Sequence, residues 1–389
     1  MSGPPTSDRG FAGSLERSWS GRPGTMAWTL ALAPLSLGYA AGSAVARARA
    51  SSSRRGIDGA PVLCVGGLTV GGSGKSSLVR WLAEAILARG GRPAVVSRGH
   101  GREDATGTLV LPDTTDYPAE RLARFGGDEA AALRAALDAS TVVAVGRDRR
   151  RSAVRAIAGY GATSVLLDDG WEQGSLAWDR LWVAVDPIHP FGNGWMLPAG
   201  PLRRPPRTLR EAHVVAFVLE PGDEIGDATL RAVREHAPRA AVLRFRRSLD
   251  RRTPLARHDD LADASLSGKT VALVTAVGAP ERVERLVAAS GARVVHHASF
   301  PDHARFREDD LARALERGAS AGASEALITE KDEARWPHSL RASLPVHVLR
   351  TRLTPLDPVE PHLVGLVPAG GAVSRDALGF TSSGATRSS

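Results

Sequence analysis

The sequence predicts an α/β protein built on a mainly parallel sheet, and three observations carry that expectation. A short apolar run at residues 62–65 leads into a glycine-rich turn, after which Leu78, Val79, Leu82 and Ile86 recur at helical spacing up to Gly90-Gly91. Short β-rich runs at 94–97, 141–145 and 164–167 alternate with helical patterns, which is βαβ architecture with both faces of the sheet covered. From about residue 226 a second set of runs begins, with strands expected at 271–277, 293–296, 326–329 and 346–349 and a helix at 281–289. A second, smaller α/β unit therefore follows the first. A length of 389 residues, 43% of them hydrophobic, suffices for one large core or two ordinary ones.

Taken in order, residues 1–25 are rich in Ser, Gly and Pro and read as a flexible tail. Residues 26–46 then run without a charge and are closed by Arg47, Arg49, Arg54 and Arg55. That length just crosses a bilayer, but Ala, Gly, Ser and Pro34 dilute it, while Trp28 and Tyr39 suit the membrane interface. Three readings compete for 26–50: an inserted anchor, a helix lying on the membrane, and a signal peptide ending at Ala44-Val45-Ala46. The nucleotide-binding turn described next argues against export, because outside the cytoplasm such a site would meet no ATP.

The turn runs Gly66-Gly67-Leu68-Thr69-Val70-Gly71-Gly72-Ser73-Gly74-Lys75-Ser76-Ser77. Strand, glycine turn and helix in succession form a phosphate loop, in which backbone N–H groups at a helix N-terminus converge on an anion. The first unit is thus P-loop NTPase-like. Lys75 is placed to reach the outer phosphates of ATP and the Ser76 hydroxyl to sit on Mg2+. The strict G-x-x-x-x-G-K-[ST] pattern has glycine where this chain has Thr69. After the run at 164–167 come Asp168-Asp169-Gly170, hard oxygen ligands for Mg2+ across from Ser76, although such a tripeptide alone is a common turn. The loops after 65, 97 and 167 are expected on one rim of the sheet, where ligands bind. A Gly- and Pro-rich stretch with two aromatics, 191–206, reads as a rigid loop beside that rim.

Charge and cysteine usage exclude several classes. The net charge is +8, almost all of it from Arg, with Lys only at 75, 269 and 331. An Arg- and Ala-rich coding bias accounts for much of this, and the remainder suits phosphates or acidic lipid head groups. No long basic run interleaves with aromatics, so nucleic acid is not an expected partner. Cys64 is the only cysteine, which excludes an intrachain disulfide and a thiolate metal cluster and leaves an inert core thiol.

These motifs, in this order, resemble the tetraacyldisaccharide 4'-kinase family, the lipid A kinases of Gram-negative bacteria. The residues that carry the resemblance are Trp19-Ser20-Gly21, Pro34-Leu35-Ser36, the phosphate loop with its initial Thr69, and Val96-Ser97-Arg98-Gly99. Gly127-Asp128-Glu129, Asp168-Asp169-Gly170, Phe191-Gly192-Asn193-Gly194 with Leu197–Arg203, Asp302-His303 and Thr329-Glu330-Lys331-Asp332 complete it. The resemblance implies transfer of the ATP γ-phosphoryl group to the 4'-hydroxyl of a tetraacylated glucosamine disaccharide 1-phosphate at the cytoplasmic face of the inner membrane. It implies a P-loop kinase domain at 57–225 facing a smaller α/β domain at 226–366 across the site and a membrane-associated helix at 26–50. The end of the chain, 367–389, closing in Thr-Ser-Ser-Gly-Ala-Thr-Arg-Ser-Ser, reads from its composition as a disordered tail. No obligate protein partner is evident. It also implies Asp128 as the catalytic carboxylate and His303 as its partner, with Thr69, Gly71, Gly72, Ser73, Gly74, Lys75, Ser76 and Ser77 on the nucleotide and Ser76, Asp168 and Asp169 on the metal. Without the resemblance, Asp128 reads as a helix cap and His303 as a loop histidine, and a metal cluster of His296, His297 and His303 has no supporting carboxylate spacing.

Three departures from the family pattern lie near the site: Trp171-Glu172-Gln173 for an aromatic or Leu then Gln-His, Arg204 for Glu, and His100 for an aromatic. They keep open a catalytically degraded homologue retained for binding. A phosphate-loop switch or binding module is the other alternative, and the Asn-Lys-x-Asp of guanine specificity is absent from the sequence.

Overall fold

The computed structural model describes Trp19, residues 26–99, Arg102, 107–111, 119–255, 265–302, Ala304, 306–337 and 339–367, with backbone only for 26, 27, 119, 120 and 128. The tail expected at 1–25 lies outside these residues apart from Trp19, as does the tail at 367–389 apart from Val367. Twelve strands form one sheet in the order β10-β9-β11-β12-β8-β7-β6-β1-β5-β2-β4-β3. Its first part is β1 (Val62–Gly67), β2 (Pro93–Ser97), β3 (Thr108–Leu111), β4 (Val142–Gly146), β5 (Ser164–Asp168), β6 (Arg180–Val185) and β7 (Val214–Leu219), joined by β8 (Ala241–Pro254). Its second part is β9 (Thr270–Thr275), β10 (Arg293–Ser299), β11 (Glu325–Thr329) and β12 (Val346–Pro355). Sequence patterning misses β3, β6, β7 and β8. β8 carries Arg244, Arg246, Arg247, Asp250 and Arg251, which mimic a loop, and β3 is only four residues long.

Neighbouring strands pair in parallel, except at the edge strand β3 and between β8 and β12. Parallel strands need both faces covered, and the buried side chains alternate accordingly. Leu63 and Val65 face a cluster with Trp81, Trp182 and Phe245, while Val62 and Cys64 face one with Leu167, Trp171 and Phe217. The Trp81 and Phe245 rings meet edge to face at 4.9 Å, tying α2 (Lys75–Leu87) to β8. The first half of β8 continues the parallel sheet beside β7, and its second half pairs antiparallel with β12. That one antiparallel step reverses strand direction, so the carboxyl ends of β9 and β11 point back toward those of β1 and β5.

Helix α1 (Met26–Ser53) lies against the first part of the sheet along a narrow stripe. Residues 29, 32, 33, 36, 40, 43, 47 and 50 are the less exposed positions, a spacing of three to four. Ser36 donates to the Met196 carbonyl at 2.7 Å and Ser53 to that of Gly174 at 3.0 Å. Trp28, Leu30, Leu35, Leu37, Tyr39 and Val45 face outward instead. The helix is long and apolar enough to cross a membrane by length and composition.

One buried charge cluster ties three strands of the second part to β8. Glu325 at the start of β11 is 3% exposed and meets Arg252 of β8, Lys269 just before β9 at 3.2 Å and His347 of β12 at 2.9 Å. Burial pushes the carboxyl up, but His347, Lys269 and Arg252 outweigh it and hold it down at about 2. A carboxyl whose folded pKa is depressed contributes stability above its unfolded value, and that contribution is lost as pH falls from the ordinary carboxylate range toward the folded value. Glu325→Gln is therefore expected to lower the urea midpoint at neutral pH and to flatten its fall between about pH 5 and pH 2. An unchanged acid limb would show that other carboxylates set it.

Candidate active site

The phosphate loop follows from its glycines. Gly74 has φ +87°, and a Cβ there would lie 2.6 Å from Val218 Cγ2, so only glycine fits between the turn and β7. A Cβ on Gly67 would lie 3.2 Å from both Lys75 Nζ and Ser73 Oγ, so the Lys75 ammonium folds back over the end of β1. Thr69 forms a bridge with Leu202, Val70 N–H donates to the Pro201 carbonyl at 2.9 Å, and Arg203 N–H donates to that of Leu68 at 2.7 Å. The Gly- and Pro-rich stretch after Phe191 thus braces the loop from behind. Ser73 Oγ is buried without a hydrogen-bond partner, which suits a loop built around an anion.

Facing the loop is the acidic end of β5. Asp168 pairs with Val65 across the ladder and is 5% exposed. Burial pushes its carboxyl up to about 7, with Asp169 and Glu129 adding to the rise and Lys75 and Arg149 opposing it. Asp169 adopts the left-handed conformation, φ 47°, which Asp tolerates better than most residues. Arg203 holds both its oxygens in a fork at 2.7 and 2.8 Å. Burial raises the Asp169 carboxyl, but this hydrogen-bonded pair and Lys75 outweigh it and the group is held below the usual range. Burial lowers Lys75, with Asp169 opposing and Arg203 reinforcing the shift. Two neighbouring carboxylates thus differ: Asp169 is neutralised by Arg203, while Asp168 has no such fork and lines the cleft.

Two of the three departures from the family pattern turn out to be partners. Arg204, 1% exposed, donates to Glu172 and, at 2.8 Å, to the Trp171 carbonyl; its guanidinium lies 4.1 Å from the Trp171 ring centroid. Glu211 approaches it at 3.6 Å and also accepts from Trp171 Nε1 at 3.1 Å. The charge reversal at 204 is matched by the acid at 172, so the loop after Asp169 stays anchored. Gln173 caps the same loop, its Oε1 accepting from Ser175 and Leu176 N–H. His100 lies outside the described residues.

The loop and Asp168 open into a cleft of about 400 Å³. Its near side includes Gly71, Gly72, Lys75, Ser76, Asp168 and Asp169, and its far side is built by the loops after β9 and β11 with the first turn of α7 (Pro280–Ala289). The second part is fixed by Asp332, which accepts from Ala276 N–H at 3.0 Å and, in the capping box that starts α9 (Glu330–Glu333), from Thr329 N–H at 3.1 Å. Lys331 then lines the cleft, and Arg80 of α2 reaches Glu330 at 2.9 Å across it.

Of the predicted site residues, Gly71, Gly72, Lys75, Ser76, Ser77, Asp168 and Asp169 all line this cleft. Thr69, Ser73 and Gly74 shape the loop behind it. Ser77 Oγ accepts from Arg247 at 2.7 Å. Asp128 is the first residue of α4 (Asp128–Ala136), with Gly127 rather than Asp128 at the cap position, and the next residue, Glu129, lines the cleft. The Asp128 carboxylate and all of His303 lie outside what the structure describes. His297 is engaged by Glu284 at 3.2 Å and by Thr275 at 2.9 Å, and no group of three or more metal-ligating side chains occurs among the described residues. Sequence reading assigned no role to Arg203, Arg204 or Arg282, since a guanidinium's partner is set by tertiary contact and nothing in the local sequence marks it.

A family profile described as LpxK: Tetraacyldisaccharide-1-P 4'-kinase matches residues 28–364. The chain is 35% identical over 334 residues to the tetraacyldisaccharide 4'-kinase of Anaeromyxobacter dehalogenans (strain 2CP-C), covering 84% of this chain and 86% of that one. It is 38% identical over 337 residues to that of Rhodospirillum centenum, covering 85% and 90%. Among solved structures, LpxK from Aquifex aeolicus, an "apo" form described as in complex with ATP, superposes with a TM-score of 0.64 at 21% identity, covering 86% of this chain and 96% of that one.

The Arg204–Glu172 pair makes a sharp stability test. Arg204→Ala empties a buried site and leaves the Trp171 carbonyl without its donor, while Glu172, 36% exposed, is rehydrated, so the expected cost in urea unfolding is about 1–3 kcal/mol. Combined with Glu172→Gln it should show a coupling of about 0.5–3 kcal/mol. Additive costs would show that Arg204 acts through Trp171 and Glu211 and not through Glu172.

Proposed function

The chain belongs to the tetraacyldisaccharide-1-P 4'-kinase family, and from that premise we propose how its cleft serves ATP-dependent phosphorylation of the lipid A disaccharide precursor. The observation that carries the reading is the Lys75 ammonium, folded over the end of β1 and facing the buried Asp168 in a cleft shared by both parts of the sheet.

The loop N–H groups and Lys75 bind the phosphates of ATP and gather the charge that spreads over the transferred group. Ser76 and Asp168 are the residues that would hold Mg2+: a hydroxyl and a buried carboxyl without an arginine fork, both on the cleft. Asp169 fits less well as a direct ligand because Arg203 already takes both its oxygens. Its role is to hold Arg203 at the loop. When bound, the metal supplies neutralisation of the phosphate oxygens.

Asp128, at the start of a helix whose next residue lines the cleft, is the proposed acceptor of the 4'-hydroxyl proton, with His303 orienting it. Phosphoryl transfer is loose, so the attacking oxygen keeps its proton until late and a weak carboxylate base suffices. The outward apolar residues of α1, Trp28, Leu30, Leu35 and Leu37, are proposed to enter the cytoplasmic face of the inner membrane and bring the cleft to the acyl chains. Intact loop, metal-site and bracing residues favour an active kinase over a degraded binding homologue.

Purified protein given the 1-phosphorylated tetraacyl disaccharide and labelled ATP is expected to label the lipid; label that stays in ATP despite nucleotide binding would favour the degraded homologue. Asp128→Asn should lower kcat by about 10²–10⁴-fold while leaving ATP affinity nearly unchanged. Equal losses in both would place Asp128 on the nucleotide. In flotation with anionic vesicles, Leu35→Asp with Leu37→Asp is expected to release the protein from the membrane. Unchanged flotation would shift lipid contact to the Arg-rich surface.

A further inference from the structure

Arg282, in the first turn of α7, comes from the far wall of the cleft yet bonds to the near one. Its Nη1 donates to the carbonyl of Gly72, inside the phosphate loop, at 2.9 Å, and its Nη2 pairs with Asp186 just past β6. Asp186 is itself fixed: its other oxygen accepts the Ile188 and His189 N–H groups, each at 2.9 Å. The guanidinium is therefore held by a rigid carboxylate on one side and the loop backbone on the other. Arg282 lines the same cleft as Lys75, Ser76 and Asp168. The other cleft arginines are committed differently: Arg80 to Glu84 and Glu330, Arg203 to Asp169, Arg247 to Glu220 and Ser77, and Arg352 to Asp250 at 3.7 Å. Among these, Arg282 alone joins a cleft wall of the second part of the sheet to the backbone of the phosphate loop itself.

Resting on the kinase reading above, we propose that Arg282 is a catalytic residue, an arginine finger supplied in cis by the second part of the sheet. A guanidinium has five N–H donors, and the bonds to Gly72 and Asp186 use two. Arg282 lines the cleft beside Gly71, Gly72, Lys75 and Ser76, so its remaining donors are available to the outer phosphates of a nucleotide seated on the loop. As the bond from the β–γ bridging oxygen to the γ-phosphorus breaks and the 4'-oxygen bonds to that phosphorus, negative charge grows on the bridging oxygen and is shared over the transferred group. Arg282 donates to those oxygens without itself gaining or losing a proton. The proton leaves the 4'-hydroxyl for the base, and the products are ADP and the phosphorylated lipid. Asp186 is the positioning residue that keeps the guanidinium turned toward the loop before nucleotide arrives.

An arginine finger is worth roughly 10³-fold or more in kcat and acts on the transition state more than on bound nucleotide. The full-length Arg282→Ala protein is therefore expected to lose about 10³-fold in kcat. Its dissociation constant for Mg-ADP, read by calorimetry, should stay within about threefold of the parent's, while its affinity for Mg-ADP with aluminium fluoride falls by about 10²-fold or more. Arg282→Gln keeps a donor for Gly72 but not the charge and should behave like Arg282→Ala. It carries the comparison if the alanine variant does not fold. Asp186→Asn should show a smaller loss confined to the same aluminium fluoride complex. Equal losses for Mg-ADP and for its aluminium fluoride complex would make Arg282 a ground-state brace of the loop and overturn the assignment, as would a Gln variant with parental kcat. A parent protein that binds no Mg-ADP would overturn the kinase reading itself.

Discussion

The antiparallel pairing of β8 with β12 is the constraint on which the rest of the molecule depends. Parallel strands present their ligand-binding loops at one end only, so a single parallel sheet offers one rim. Two parallel parts joined by one antiparallel step present two rims that face each other. The phosphate loop and the acidic end of β5 occupy one, and the loops after β9 and β11 the other. The ribbon carries charge at its exposed positions, Arg244, Arg246 and Arg251. Where it is buried, charge is paired: Arg350 forks onto Glu333 at 2.7 and 2.8 Å, and Arg252 meets Glu325.

Opposite charges are distributed over the cleft so that few are left alone before substrate arrives. Arg203 neutralises Asp169, Arg80 meets Glu330, and Arg282 meets Asp186. The exceptions are the groups with work to do. Lys75, lowered by burial, and Asp168, raised by it, are each held away from their ordinary protonation behaviour, as expected of groups that wait for a phosphate and a cation. The unpartnered buried hydroxyl of Ser73 belongs to the same pattern.

The exchange at 172 and 204 shows how a motif can change its letters and keep its mechanics. A buried Arg204 without an acid beside it would be untenable, and Glu172 supplies that acid while the Trp171 ring lies under the guanidinium. The pair sits behind Asp169 and not in front of it, so the cleft lining is preserved. Cys64 is consistent with the inert role expected of it: it is buried in β1 and its thiol is pushed up by burial.

By itself the sequence determined what local physics controls. The loop, the helix behind it and the strands β1, β2, β4 and β5 were legible because glycine positions, apolar runs and helical spacing act over a few residues. The same holds for Lys75, Ser76 and Asp168 as cleft residues, since strand-end loops share a rim by topology. Tertiary structure alone decided the pairing of Arg203 with Asp169, Arg204 with Glu172 and Arg282 with Gly72, because an arginine reaches partners tens or hundreds of residues away. It also decided β8, whose charged run pairs in parallel with β7 and antiparallel with β12. The side of α1 that meets the body was likewise settled only there: Ala, Gly and Ser around the helix leave no amphipathic pattern, and the docking face appears only when Met196 and Gly174 come up against it.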